Sequence, residues 1–94
     1  MRLIESQMND AIINKFNWSK DNTKVTYLSY VDISNIYLHG YHIATYDHAL
    51  LQVTPNIVTL AAWPTRTTKS RLRALGVNIY TRKGITFLND KELA

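Results

Sequence analysis

The apolar residues of this chain first change their spacing near Trp18, and that change from a helical to a strand period decides the fold class. Ahead of it, Ile4, Met8, Ile12 and Phe16 recur every four residues, and Ala11 fills the same stripe. Apolar residues at that spacing share one face of a helix. The segment therefore predicts a helix from about Leu3 to Phe16 that lays this face on a sheet. Glu5 and Asp10 come before Lys15, an order that suits the helix dipole. After the polar, turn-forming connector SKDNTK the period becomes two. KVTYLSY alternates Val25, Tyr27 and Ser29 with Thr26, Leu28 and Tyr30, and it is rich in residues that favour strands.

The remaining segments follow the same logic. VDISN reads as a loop or bend, and NIYLHGYHIATYDH as two strands joined at a tight His39-Gly40 turn, glycine supplying a positive φ. ALLQVTPNIVTLAAW reads as one or two further strands broken at Thr54-Pro55-Asn56, because Pro55 cannot donate to a strand ladder. WPTRTTKSRLRALG reads as a short basic helix, with Pro64 near its start, Thr65 or Thr67 as its cap and Gly76 just past its end. VNIYTRKGITFLND closes the chain as a hairpin turning at Lys83-Gly84. The order is α-β(3–4)-α-β-β. It predicts a single small α+β domain over residues 1–94: one antiparallel sheet of four to six strands, an N-terminal helix and a short basic helix.

Composition narrows the chemistry. A chain of 94 residues buries only roughly 60–65% of its unfolded surface, and a homodimer would bury more. Cysteine is absent, which removes disulfides, thiolate zinc ligands and a thiol nucleophile. No apolar run approaches the roughly 18 residues that span a bilayer, and Glu5, Asn9 and Asp10 interrupt any signal-peptide pattern. The expected location is cytoplasmic, with no membrane contact. The three glycines, at 40, 76 and 84, form no phosphate-cradling loop. His39 and His42 flank a turn, with only Asp47 as a nearby further ligand for a metal that needs three or four. Asp47 and His48 are strand neighbours, whose side chains point to opposite faces. The expectation is no enzyme, no cofactor and no metal.

Charge is where the sequence speaks most clearly. Residues 1–47 hold four cations against five anions, whereas residues 48–89 hold six cations and no anion. Those six are Arg66, Lys69, Arg71 and Arg73 on the basic helix, and Arg82 and Lys83 at the last turn. At about 100° per residue, Thr68, Leu72 and Leu75 form the buried stripe. Arg66, Lys69 and Arg73 fall on the adjoining stripe and point outward together, with Arg71 on the other flank. Three aligned cations can follow a phosphate backbone, with Thr65, Thr67 and the free amides of the first turn placing one phosphate. Trp63 and the six tyrosines, five of them in the central strands, offer faces on which unpaired bases stack.

IYLHGYHIATYD, VTLAAWPTRTTKSRLRAL and GVNIYTRKGITFLND together resemble a group of small proteins of tailed bacteriophages. Those carry a His-Gly hairpin followed by Ile-Ala, then a Trp-x-Thr-x-Thr-Thr-Lys-x-Arg-Leu run, then a hairpin ending near a Lys-Gly turn. His39, Gly40, Ile43, Ala44, Trp63, Thr65, Thr67, Thr68, Lys69, Arg71, Leu72, Lys83 and Gly84 carry the resemblance, which covers roughly residues 35–89. Ala62 and Arg73 depart from it, standing where the group has glycine and asparagine. The resemblance implies a phage origin and the cytoplasm of a bacterial host, and it supplies no activity. The functional expectation is a non-enzymatic phage accessory protein that binds nucleic acid, or a host nucleic-acid-processing protein, through the basic helix and hairpin. The alternative is a host-takeover or anti-defence inhibitor acting by direct contact with a bacterial protein.

Overall fold

The structure, a computed structural model, describes residues 2–93. Helix α1 (Leu3–Ile13) leads into five strands: β1 (Trp18–Lys20), β2 (Thr23–Leu28), β3 (Ile33–Leu38), β4 (Tyr41–Asp47) and β5 (Gln52–Pro55). Two helices follow, α2 (Ile57–Ala62) and α3 (Arg66–Ala74), and then β6 (Ile79–Arg82), β7 (Ile85–Leu88) and β8 (Lys91–Glu92). β1 to β5 form an antiparallel meander in sequence order, and β6 to β8 form a separate three-stranded sheet. The expected α+β domain is present, but the closing hairpin gains a third strand and its own sheet.

Register explains which residues make the core. Trp18 pairs with Val25, Val25 with Ile36, Ile36 with Ala44 and Ala44 with Pro55, so one row crosses all five strands. That row faces Met8, Ala11 and Ile12 of α1, Leu60 of α2, Leu72 of α3, and Val77 and Ile79 before and in β6. A bulge in β4 leaves Ile43 outside the pairing with β3, and both Ile43 and Ala44 enter the core. The opposite face carries Lys24, Thr26, Asn35, Tyr37, His42 and Thr45, none of them buried.

Four local expectations are corrected. α1 ends at Ile13, three residues before Phe16, because the Lys15 and Phe16 N–H groups turn back to the Ile12 and Ala11 carbonyls at 3.1 and 2.9 Å. Lys15 takes the left-handed position (φ 58°), and Phe16 stands exposed. SKDNTK is no simple connector: Ser19 and Lys20 pair with Lys24 and Thr23 across a turn at Asp21-Asn22. VDISN is a loop only as far as Asp32, and Ile33 opens β3. Residues 57–62 are a helix where a strand was expected: Pro55 ends β5, and the Asn56 side chain caps α2 by accepting the Thr59 N–H at 3.2 Å. The β-branched Ile57, Val58 and Thr59 favour a strand by propensity, and the cap and the burial of Leu60 override them.

Candidate nucleic-acid interface

α3 is built by its two ends. Thr65 is its cap, the hydroxyl accepting the Thr68 N–H at 3.1 Å. At the other end Gly76 (φ 94°) donates to the Arg73 carbonyl at 3.0 Å, and Val77 donates to that of Leu72 at 3.0 Å. This reverses the chain and drops Val77 into the core. Thr68 and Leu72 are buried as expected, and Leu75 is half-buried. The Thr65 hydroxyl is occupied by the cap and by Thr68 Oγ1 at 2.9 Å, while Thr67 is half-buried on the first turn.

Arg71 departs furthest from expectation, because it lies inside the protein. Its guanidinium meets Glu5 of α1 at 2.8 Å, and each partner is only 3% exposed. Its Nε donates to Thr23 Oγ1 at 3.0 Å and its other terminal nitrogen to Asn22 Oδ1 at 3.4 Å. Glu5 also accepts from the Ser70 hydroxyl at 2.6 Å and the Arg2 N–H at 3.3 Å. Burial works to raise the Glu5 pKa; the hydrogen bonds from Ser70, Arg71 and Arg2, together with the Arg71 charge, outweigh it and hold the carboxyl below its ordinary value. The network ties α1, α3 and the β1–β2 turn together. Arg71 is thus a structural cation answered by an acid 66 residues away.

Lys69 also leaves the outward row. It is buried against β6, with its Nζ donating to Thr81 Oγ1. Arg73 stays exposed and donates to the Ile79 carbonyl at 3.2 Å. These two contacts fix how α3 lies on β6. Position 73 faces 79 and position 69 faces 81, so helix and strand run antiparallel. One more step moves about 4.5 Å along the helix to position 66 and about 6.6 Å along the strand to position 83. Arg66 is therefore carried toward the Lys83-Gly84 turn, where Arg82 and Lys83 are both exposed. Arg66, Arg73, Arg82 and Lys83 are all exposed, the first two on α3 and the other two at the β6–β7 turn, where Arg82 alternates to the face opposite Thr81. Among the described residues the ion pairs are Arg71–Glu5 and Lys15–Asp32, and neither uses these four.

Trp63 adds an aromatic to the same end. It is 53% exposed, and its ring lies 5.8 Å from that of Tyr41, itself 52% exposed. Beside the pair runs a cleft of about 230 Å³ floored by Leu38, Ile43 and Thr68, with Thr59 and Thr65 on its rim. The other tyrosines are dispersed. Tyr27 donates to Asp32 at 2.7 Å, Tyr46 packs edge-on against His48, Tyr80 stacks on Phe87, and Tyr37 lies under Lys24 on the uncovered sheet face.

The histidines do not converge. His39 forms its turn, and His48 bonds Ser34 at 2.8 Å. His42 bonds Asn56 at 3.2 Å and Thr45 at 2.9 Å. Because the Asn56 oxygen caps α2, its amide nitrogen faces His42 Nδ1. His42 is therefore the Nε2–H tautomer, donating to Thr45, which donates on to Asn35 at 2.8 Å. Asp47 accepts the N–H groups of Ala49 and Leu50. Among the described residues no group of three His, Asp or Glu is placed to hold a metal. Among the described residues no helix is long and apolar enough to cross a membrane.

Sequence reasoning missed Glu5 and Tyr41. Glu5 left a signal: it shares the helical stripe of Met8 and Ile12, where an acid is out of place unless paired. Tyr41 left none, because only the fold sets it beside Trp63. The search of curated proteins and the search of solved structures both found no match. A family model described as "Kyanoviridae Gp96 protein" matches residues 1–94. The resemblance to phage proteins is thus upheld at the level of origin, and the chain belongs to the Kyanoviridae Gp96 family of phage proteins.

Proposed function

We propose that this phage protein acts without catalysis, by binding nucleic acid, bare or within a host nucleic-acid-handling assembly, along the edge made by α3 and the β6–β7 turn. One observation supports the reading: Arg66 and Arg73 on α3 and Arg82 and Lys83 at the β6–β7 turn are exposed, and among the described residues none of the four is paired with an acid. Lys69 and Arg71, expected among the contacts, serve instead as the fixings that hold this edge in shape. Contacts from arginine and lysine to phosphates would dominate, so affinity falls with salt.

Four phosphate contacts predict a slope of log affinity against log salt of about −3.6 for duplex and about −2.8 for single strands. Between 50 and 200 mM salt that is a loss of about 50- to 150-fold. Fluorescence anisotropy with labelled single- and double-stranded DNA and RNA reads this directly. Absence of binding at the lower salt refutes the reading.

A second reading, an inhibitor that docks on a bacterial protein, is favoured by a different surface. The β2–β3 and β4–β5 loops meet at the far end of the sheet, joined by the His48 N–H to the Asp32 carbonyl at 3.1 Å. They expose Tyr30, Val31, Leu50 and Leu51 together. Apolar side chains grouped in this way mark protein contacts more often than nucleic-acid contacts. Capture of a partner from nuclease-treated lysate, lost on Leu50→Asp and Leu51→Asp while nucleic-acid affinity is unchanged, supports this reading. Retention of the partner by that variant removes it.

A further inference from the structure

We propose that the cleft beside Tyr41 and Trp63 holds one unpaired nucleobase, so that the interface selects single strands over duplex. The inference rests on the nucleic-acid reading above and adds to it the form of the ligand.

Several features of the cleft point this way. Two aromatic rings stand half exposed side by side, where neither serves the core. Both are held from behind. Tyr41 is paired with Leu38 across the His39-Gly40 turn, and the Trp63 backbone donates to Thr59 and accepts from Thr65, each at 2.8 Å. Tyrosine and tryptophan side chains have only two rotatable bonds and give up little freedom when a ring stacks on them. The volume of about 230 Å³ lies below the roughly 300–1,000 Å³ of a site for a drug-sized ligand, and suits a single ring system. The floor is mostly apolar, through Leu38 and Ile43, whereas His39 and Thr59 bring polar side chains to the lining, the arrangement that accepts a flat heterocycle with polar edges.

Charge selects the occupant. Arg66 follows Trp63 by three residues, so their Cα atoms are at most about 10 Å apart. Arg82 and Lys83 add two exposed cations at the β6–β7 turn. A ring in the cleft that belongs to a polyanionic strand would have its neighbouring phosphates beside these cations, whereas a neutral aromatic ligand would leave them unused. Stacking on an aromatic face requires a base whose own face is free, and in a duplex both faces of an internal base are covered by its neighbours.

The test uses a Trp18→Phe background, so that Trp63 is the fluorophore, and two probes at about 50 mM salt: a 12-nucleotide oligothymidylate and its duplex with oligoadenylate. The expected result is quenching of Trp63 by the single strand and not by the duplex. Trp63→Ala should weaken single-strand binding by about 5- to 150-fold and leave duplex affinity and the salt slope unchanged. Tyr41→Ala should do the same to a smaller extent, and Trp63→Phe should restore part of the loss. Circular dichroism checks that each variant is folded. Salt-dependent binding with no quenching, or with equal effects of Trp63→Ala on both probes, overturns the base-holding role and leaves the phosphate edge standing. Failure of both probes to bind overturns the two proposals together.

Discussion

Replacing Glu5 by glutamine tests whether Arg71 belongs to the fold or to the surface. The substitution keeps the volume and removes the charge opposite a guanidinium that is 3% exposed. Breaking one side of a buried pair costs about 3–5 kcal/mol, because the remaining charge stays desolvated and unanswered. Here the Ser70 hydroxyl and the Arg2 N–H also exchange a charged acceptor for a neutral one. Against a total of about 5–15 kcal/mol for a domain, this is a large fraction of stability. A chain of this length should melt lower by about 12 °C or more. Urea unfolding followed by circular dichroism gives the number. The companion double substitution Glu5→Leu with Arg71→Met replaces both charges by apolar volume and should cost little or even stabilise. The pH dependence is a second check. Glu5 is held below its ordinary value of 4.5. Its contribution is therefore complete above that value and is lost as pH falls through the lower folded-state pKa. The gap between wild type and Glu5→Gln should be full at neutral pH and close in strong acid. A loss below about 1 kcal/mol at neutral pH would be the behaviour of a solvent-screened pair. That outcome would refute the structural role and return Arg71 to the set available for ligands.

The other predictions concern the edge and its supports. The triple substitution Arg66→Ala, Arg82→Ala and Lys83→Ala should reduce the salt slope of nucleic-acid binding by about 2–3 with little change in melting temperature, as read by anisotropy at several salt concentrations. Arg71→Lys should do the reverse, lowering stability through loss of the Nε bond to Thr23 while leaving the slope where it was. Thr65→Ala removes the cap on the Thr68 N–H and should cost about 0.5–2 kcal/mol in urea unfolding. Lys83 and Gly84 both have positive φ in a two-residue turn. Lys83→Asn should therefore be neutral or stabilising, which the same measurement checks.

How much of this was legible depended on whether the signal was local. The two turns at His39-Gly40 and Lys83-Gly84, the strand alternation of β2, the Thr65 cap and the Gly76 terminus are written in residues within a few positions of one another, and all are present. α2 was misread because Ile57, Val58 and Thr59 favour strands, and the deciding capping bond from Asn56 competes with that preference. Ile43 and Ala44 both face the core through a bulge that simple alternation cannot foresee. At the site, Thr68, Arg71, Leu72 and Leu75 have the i, i+3, i+4, i+7 spacing of a buried stripe, and Glu5 has the matching position beside Met8 and Ile12. An acid and a base each standing on a buried stripe, on different helices, is the signature of a buried pair. It is visible in the sequence once the two helices are considered together. Lys69 had no such mark, because its partner Thr81 lies on an exposed strand position.

The division of the six cations also decides how the two functional readings can be separated. Arg71 and Lys69 are held inside, so substitutions at either position act first on the fold, and an unchanged salt slope is what separates them from the exposed set. Arg66, Arg82 and Lys83 are exposed, and no acid is paired with them among the described residues. The apolar loops carrying Tyr30, Val31, Leu50 and Leu51 sit at the end of the sheet away from the His39-Gly40 turn and the Trp63 cleft. Among the described residues the two surfaces share no hydrogen-bonded partner, and sites without a shared partner respond additively to substitution. Changes at the loops should therefore leave nucleic-acid affinity intact, and changes at the edge should leave protein capture intact. A loop variant that weakened nucleic-acid binding as much as Arg66→Ala would mean the two ends serve one surface, and the antiparallel seating of α3 on β6 would no longer explain the binding.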